Sequence, residues 1–542
     1  MPLRRAPLFA CLLSSVLFLL SAGCARRETP VEAGIRTGTL LVGNAAEPGD
    51  LDPQTAAVLN DQIIQVALFE GLTALDETTT VPVPAAAERW EVSPDGLAWT
   101  FYLRPGLRWS NGEALTAADF IQSWRRILSP AFAAEGAWYF FPVKNAEAYN
   151  AGRLTDVTAV GLAALDERTL RITLERPTPY LPALVSLPSW FPINPRVVAK
   201  FGGLDKRGTA WTRPGNLVSN GPFRLTGWVP NARITVEKNP LYWDAARTRL
   251  QQIAFFPIEN PDVEERDFRA GQLHVTFNLP ISRLASWREK EPARLRLDPQ
   301  QQVNFLRFNV TQPPLNDARV RRALSLALDR DTLTRTVLQG SLPPAHSLTP
   351  PGTGGYTARA AVGGDFDFAR RLLTEAGYPG GRGLPVIEMQ CRSNELSPKL
   401  AEAVQAIWQR ELGVRISIAP VEQKTWVQNQ QTLNYSITLA AWTADYPDPL
   451  TYLGLFTGDS SYNWTGWKNP AYDGLLAAAA TTLDPHQRYE IFQQAEKLLL
   501  EDSPVAPLYF GVQTYLIHPA VHGWIPSPLV FRRFQYVTLQ AP

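Results

Sequence analysis

The chain has 542 residues, 45% of them hydrophobic, and its 52 Lys and Arg against 51 Asp and Glu leave a formal net charge of +1. That length carries roughly two or three domains with full hydrophobic cores. The even charge balance excludes a polyanionic partner such as nucleic acid, which needs a basic excess gathered on one face.

The N-terminus, MPLRRAPLFACLLSSVLFLLSAGC, sets Arg4 and Arg5 before an apolar run from Leu8 to Leu20. At about 13 residues the run fits a secretory signal core and is too short for a permanent membrane span of about 20. The closing SAGC resembles a lipobox, although Ser21 stands where a leucine is usual; it makes residues 1–23 a signal peptide and Cys24 the lipid-bearing first residue of the mature chain. Simple secretion is the alternative. Cys11 lies inside the signal and Cys391 is the only other cysteine, so no disulfide or cysteine-based metal site is expected. The five histidines are scattered; HPAVH at 518–522 has metal-ligand spacing, but Pro519 and Gly523 break the helix it needs. No metal or cofactor is therefore expected.

Residues 24–38 read as a short polar tether, and Thr39 to Val42 as a buried strand. From Ser93, SPDGLAWTFYLRPGLRWSNGEALTAADF contains a Pro-Asp-Gly turn and a strand in which Trp99, Phe101 and Leu103 alternate with Thr100, Tyr102 and Arg104. It ends in a second turn and a helix capped by Thr116, with Phe120, Ile121 and Trp124 on one side. Further alternating segments precede three amphipathic helical stretches, at 316–333, 395–413 and 484–504, the second stopped by Gly413. Strands and helices mix without a strict βαβ order, and no short repeat is present, so the class is α/β in the mixed α+β sense. No GxSxG, HExxH or Walker-type sequence occurs, which leaves enzyme readings without support.

The Ser93–Phe120 stretch resembles the signature of the family 5 extracellular solute-binding proteins, the peptide and nickel receptors of ABC importers. LDP at 51–53, FEGL at 69–72, SNGPFRL at 219–225, NPLYW at 239–243, FRAGQLHV at 268–275, NDARVRRALSLALDRD at 316–331 and NPAYDGLL at 469–476 follow in family order. ELSPKLAEAVQAIWQRELGVRISI and AAWTADYPDPLTYL are most similar to the oligopeptide receptors within that family. The resemblance implies a two-lobed periplasmic-binding-protein-like fold (type II, cluster C) with an extra inserted domain. Lobe I would comprise 39–69, 193–292 and 511–542, inserted domain II 70–192, and lobe II 293–510. It also implies a monomer in the periplasm or at the cell surface, partnered by short peptides, an ABC permease and, through its lipid anchor, a membrane.

In AAWTADYPDP, residues 440–449, the acid Asp445 follows a strand-like run and stands among aromatics. A closed cleft strips water from a peptide's ammonium group, which then needs a carboxylate; the resemblance gives that role to Asp445. The strand before it, with Ala441 to Thr443, is expected to lie alongside the ligand and pair through backbone groups. Trp442 is expected as a wall for a ligand side chain, with Tyr446 beside it and Tyr139 or Trp138 opposite. The plainer readings are a turn acid for Asp445 and core packing for Trp442. Where the family places a His and two Arg residues around the ligand carboxylate, this chain has Ser397, Gln430 and Leu439, leaving Lys399, Lys424 or water to serve. A receptor for an oligosaccharide or nickel chelate is the alternative on the same fold, and an adhesive lipoprotein is a third class.

Overall fold

The computed structural model describes residues 28–55, 58–394 and 396–541; the expected signal peptide, residues 1–23, and Cys24 lie outside the described residues. Residues 24–38 are not all tether. Thr29 and Glu32 form a reciprocal capping box that starts a helix at Pro30–Thr37, closed by Gly38 at φ 73°. Val31 is buried and donates its N–H to Gly271 O at 3.0 Å, so this helix is docked on the first domain. The capping signal is local and was present in the sequence; its polar composition masked it.

The first sheet orders Thr39–Gly43, Gln252–Phe256, Arg233–Lys238 and Phe223–Val229, with only the first pair parallel. Its core gathers Leu40, Ile63, Val236, Phe255 and, from the far C-terminus, Tyr515 and Phe534. A second, antiparallel sheet of Ala87–Val92, Ala98–Leu103, Thr169–Thr173 and Leu162–Ala164 has its own core. Trp99, Phe101 and Leu103 are buried on one face while Thr100 and Tyr102 are half-exposed, as their alternation predicts. Thr116 starts the helix Ala117–Leu128, its N–H donating to Asp119 Oδ2 at 2.9 Å, and Trp124 packs edge-on to Trp190 at 5.2 Å.

These two units are joined by a buried ion pair. Arg126 Nη2 lies 2.6 Å from Asp52 Oδ2, with both side chains at most 1% exposed. Arg126 also donates to Gln54 Oε1 at 2.7 Å and Leu204 O at 2.6 Å, and its guanidinium covers the Phe132 ring. Asp52 thereby holds the Gln54 segment against the second unit.

The third unit is built on a five-stranded sheet ordered Ile416–Val421, Ile387–Arg392, Ile437–Thr443, Leu295–Phe308 and Val505–Leu516. The last two strands have 14 and 12 residues. At about 3.4 Å per residue they are long enough to run from one lobe into the other. Their Leu295/Leu516 end packs with Phe268, Leu284 and Trp287, beside the first sheet. Leu306 and Phe308, at the opposite end, join the core under Leu324, Val404 and Trp408. Between the two ends the ladder breaks its register from Pro299 to Val303. The mixed α/β architecture has two lobes bridged by this strand pair.

Candidate functional site

Where the ladder breaks, a cavity of about 500 Å³ opens between the lobes, within the range typical of ligand clefts. Stretches from all three units meet there. The first unit supplies Gln54 and Gln62, the second Glu135, Trp138 and Tyr139, and the sheet of the third unit supplies Gln300, Gln302, Thr443 and Asp445. Gly511 makes room for the glutamines, since a Cβ there would lie 2.8 Å from that of Gln302. Among the described residues, Glu135 and Asp445 are the only charged ones lining the cavity, so its lining is negative.

Asp445 is held by its own loop. Its N–H donates to Thr451 Oγ1 at 3.2 Å and its carboxylate accepts from the same hydroxyl at 3.5 Å. Burial pushes the carboxyl up to about 6, and the Thr451 hydrogen bond offsets only part of this. Among the described residues no cation forms an ion pair with it. The half-buried Tyr139 phenol is raised first by its burial and then by the Asp445 charge.

The strand before Asp445 has an open edge. Along its inner side, residues Ile437 to Thr443 pair without interruption with Phe308 to Gln302. On its outer side only Ile437 and Thr438 find partners, Met389 and Gln390. Leu439 to Thr443 therefore present one row of backbone groups with no neighbouring strand among the described residues. Such a row is a template for an added strand, and it ends at a half-buried carboxylate.

Thr443, Asp445, Tyr139 and Trp138 all reach the cavity, and Ala441 sits on the open edge opposite Asn304. Trp442 points from the other face, packed edge-on against Tyr462 at 5.3 Å, with its buried Nε1 unpaired. Tyr446 stacks on Tyr180 of the second unit, 4.8 Å apart and nearly parallel. Neither ring lines the cavity, because strand alternation sends position 442 away from 441 and 443. Gln54, Gln62, Gln300 and Gln302 were not singled out by sequence. The run Gln300–Gln302 after Pro299, inside an otherwise alternating strand, was the one available signal. Among the described residues no cluster of His, Cys, Asp and Glu could hold a metal, and no helix is long and apolar enough to cross a membrane.

Two lobes, a crossing strand pair and a polar interlobe cavity define the class of solute-binding receptors. A family model for "Bacterial extracellular solute-binding proteins, family 5 Middle" matches residues 81–464, and the chain belongs to that family. It is 35% identical to the periplasmic oligopeptide-binding protein OppA of Salmonella typhimurium, over 94% of both chains. It is equally 35% identical to the probable deoxycholate-binding periplasmic protein YgiS of Escherichia coli, over 91% of this chain and 92% of that one. Among solved structures, the unliganded open form of the murein tripeptide binding protein MppA superposes with a TM-score of 0.85 at 32% identity, covering 93% of this chain and 97% of that one. The Haemophilus influenzae OppA complex with RPPGFSPFR gives 0.68 at 28% identity, covering 93% and 99%.

Proposed function

We propose that the protein is an extracytoplasmic receptor, lipid-anchored at Cys24, that captures short peptides by lobe closure and hands them to an ABC permease without chemistry. The observation that carries this reading is the open strand edge Leu439–Thr443 running up to the uncompensated carboxylate of Asp445. A peptide supplies what both lack: a backbone to pair with the edge and an ammonium to meet the acid. Backbone pairing leaves the side chains unread, which suits a receptor for mixed sequences.

Free peptide is expected to raise the melting temperature through binding linkage, and the N-acetylated form to do so far less. Equal shifts for both remove Asp445 from the amine role. Small-angle scattering in the same titration should show the particle contract as the lobes close about the Pro299–Val303 break.

The amine contact carries a pH signature. An ammonium is held by the ionised carboxylate, and in the ligand-free protein that carboxyl titrates at about 6. The Kd should be flat above roughly pH 7 and rise by up to about tenfold per unit below 6, because binding must then expel a proton. A profile flat down to pH 5 contradicts the assignment.

The second reading, a non-peptide solute, rests on Trp138, 43% exposed and stacked on Tyr139 at 3.8 Å, a platform suited to a sugar or sterol face. An uncharged or anionic ligand, however, leaves the Asp445 charge without a cation. Mass spectrometry of copurifying ligands separates the two readings.

A further inference from the structure

The helix Leu59–Leu68 carries one face past the cleft. Leu59 and Gln62 line the interlobe cavity, while Val66, one turn on, and Phe69, which caps the helix, line a second chamber of about 70 Å³. Positions 59, 62, 66 and 69 follow the helical repeat, so cleft and chamber lie along one row of side chains. A second segment repeats the pattern: Leu187 and Ser189 line the cleft, Ser186 and Phe191 the chamber.

A short stretch of the C-terminal tail separates the two spaces. Leu529 and Phe531 line both the cavity and the chamber, and Val530 between them lines the cavity and a further void of about 20 Å³ shared with Ile63 and Tyr515. These three residues belong to no helix or strand. They are pinned on either side: Gln301 N–H donates to Pro528 O at 2.9 Å, Arg532 Nη2 lies 2.9 Å from Asp298 Oδ2, and Arg533 N–H donates to Glu77 Oε1 at 2.7 Å. Between the pins Val530 stands at φ 68°, a left-handed conformation that a β-branched residue adopts only under strain. In a close-packed interior, a strained partition with unfilled space on both sides is an element with room to move.

We propose that the chamber is a cryptic side pocket of the cleft, which takes an aromatic side chain of the bound peptide when Leu529 and Phe531 give way. This inference rests on the peptide reading and deepens it. The walls contributed by Val66, Phe69, Leu75 and Phe191 are apolar. The acids that also line the chamber are already served by the protein: Glu70 by Tyr242 Oη and Trp243 Nε1, Asp76 by Thr79 N–H, Glu77 by Arg533 N–H. None of them calls for a cationic ligand. Arg532 and Arg533 line it too, and Arg532 Nε and Nη1 and Arg533 Nε have no hydrogen-bond partner. A guanidinium in that state attracts the face of an aromatic ring. The ligand selects the opened partition because only that state buries its ring.

The test is calorimetric titration of the full mature chain with trialanine and with the three tripeptides in which one alanine is replaced by phenylalanine. At one position phenylalanine should tighten binding by at least about tenfold, the effect of burying an aromatic side chain. Ala74 lines the chamber and not the cleft. Ala74→Leu, which fills the chamber from that far side, should erase the gain and leave the trialanine Kd within about twofold of wild type. Leu529→Ala widens the passage and should enlarge the gain. Leucine at the same ligand position should gain less than phenylalanine. A wild type that gains at no position, an A74L variant that keeps the gain, or an L529A variant whose gain is no larger than the wild type's overturns the side pocket and leaves peptide binding intact. Equal gains for leucine and phenylalanine overturn its aromatic character. If neither trialanine nor any of the three phenylalanine peptides binds the wild type, the peptide reading fails and this inference with it.

Discussion

Asp445→Asn is expected to make the ligand-free protein more stable and its peptide complex much weaker. The carboxyl is raised from 3.8 to about 6 by burial, so the folded, empty protein holds it against its ionised form. A group with a raised acid pKa binds more protons folded than unfolded between those two values, so its penalty is absent in acid and grows as pH rises through that window. At about 1.4 kcal/mol per unit, and discounted for the partial exposure of the group, removing the charge should stabilise the empty protein by about 1–3 kcal/mol at pH 7. The gain should shrink toward zero near pH 4. Binding moves the other way: loss of the ionic partner should cost on the order of 2–5 kcal/mol, about 30-fold or more in Kd. Denaturation of both proteins at the two pH values, with peptide titrations at pH 7, checks both halves. A variant less stable than wild type at pH 7 makes Asp445 a structural turn acid. Opposite signs mark a group kept for its ligand at the expense of the empty fold.

Asp52→Ala is expected to be strongly destabilising. It leaves Arg126 as an uncompensated charge at 0% exposure, between the first and second units. Breaking a buried pair from one side typically costs about 3–5 kcal/mol. Because Arg126 also positions Gln54, whose amide donates to Ser123 O at 2.6 Å, peptide affinity should fall along with the first unfolding transition. Chemical denaturation together with a peptide titration reads both effects. A variant as stable as wild type shows that water or Gln54 compensates the arginine.

Sequence by itself determined the local elements and the resemblance. The alternation of Trp99, Phe101 and Leu103, the Thr116 cap and the Gly413 stop each depend on neighbours within one turn or one pleat, so composition and spacing expose them. The acid after a strand was visible for the same reason, whereas the missing cation at Ser397, Gln430 and Leu439 was visible only through the resemblance. One local signal was overlooked, the capping box that turns Pro30–Thr37 into a docked helix.

Only the tertiary structure decided what each strand meets. Period-two alternation separates Trp442 from Thr443, but which face looks into the cavity depends on the strands laid on either side. Gln54 and Tyr139 are 85 residues apart and Asp445 lies 306 further on, and they converge because two long strands carry the chain between the lobes. The open edge Leu439–Thr443 exists because Ile387–Arg392 stops pairing after two residues, a non-local event with no mark in either segment. Local pattern fixes what a residue can do, and long-range strand pairing fixes what it does it to.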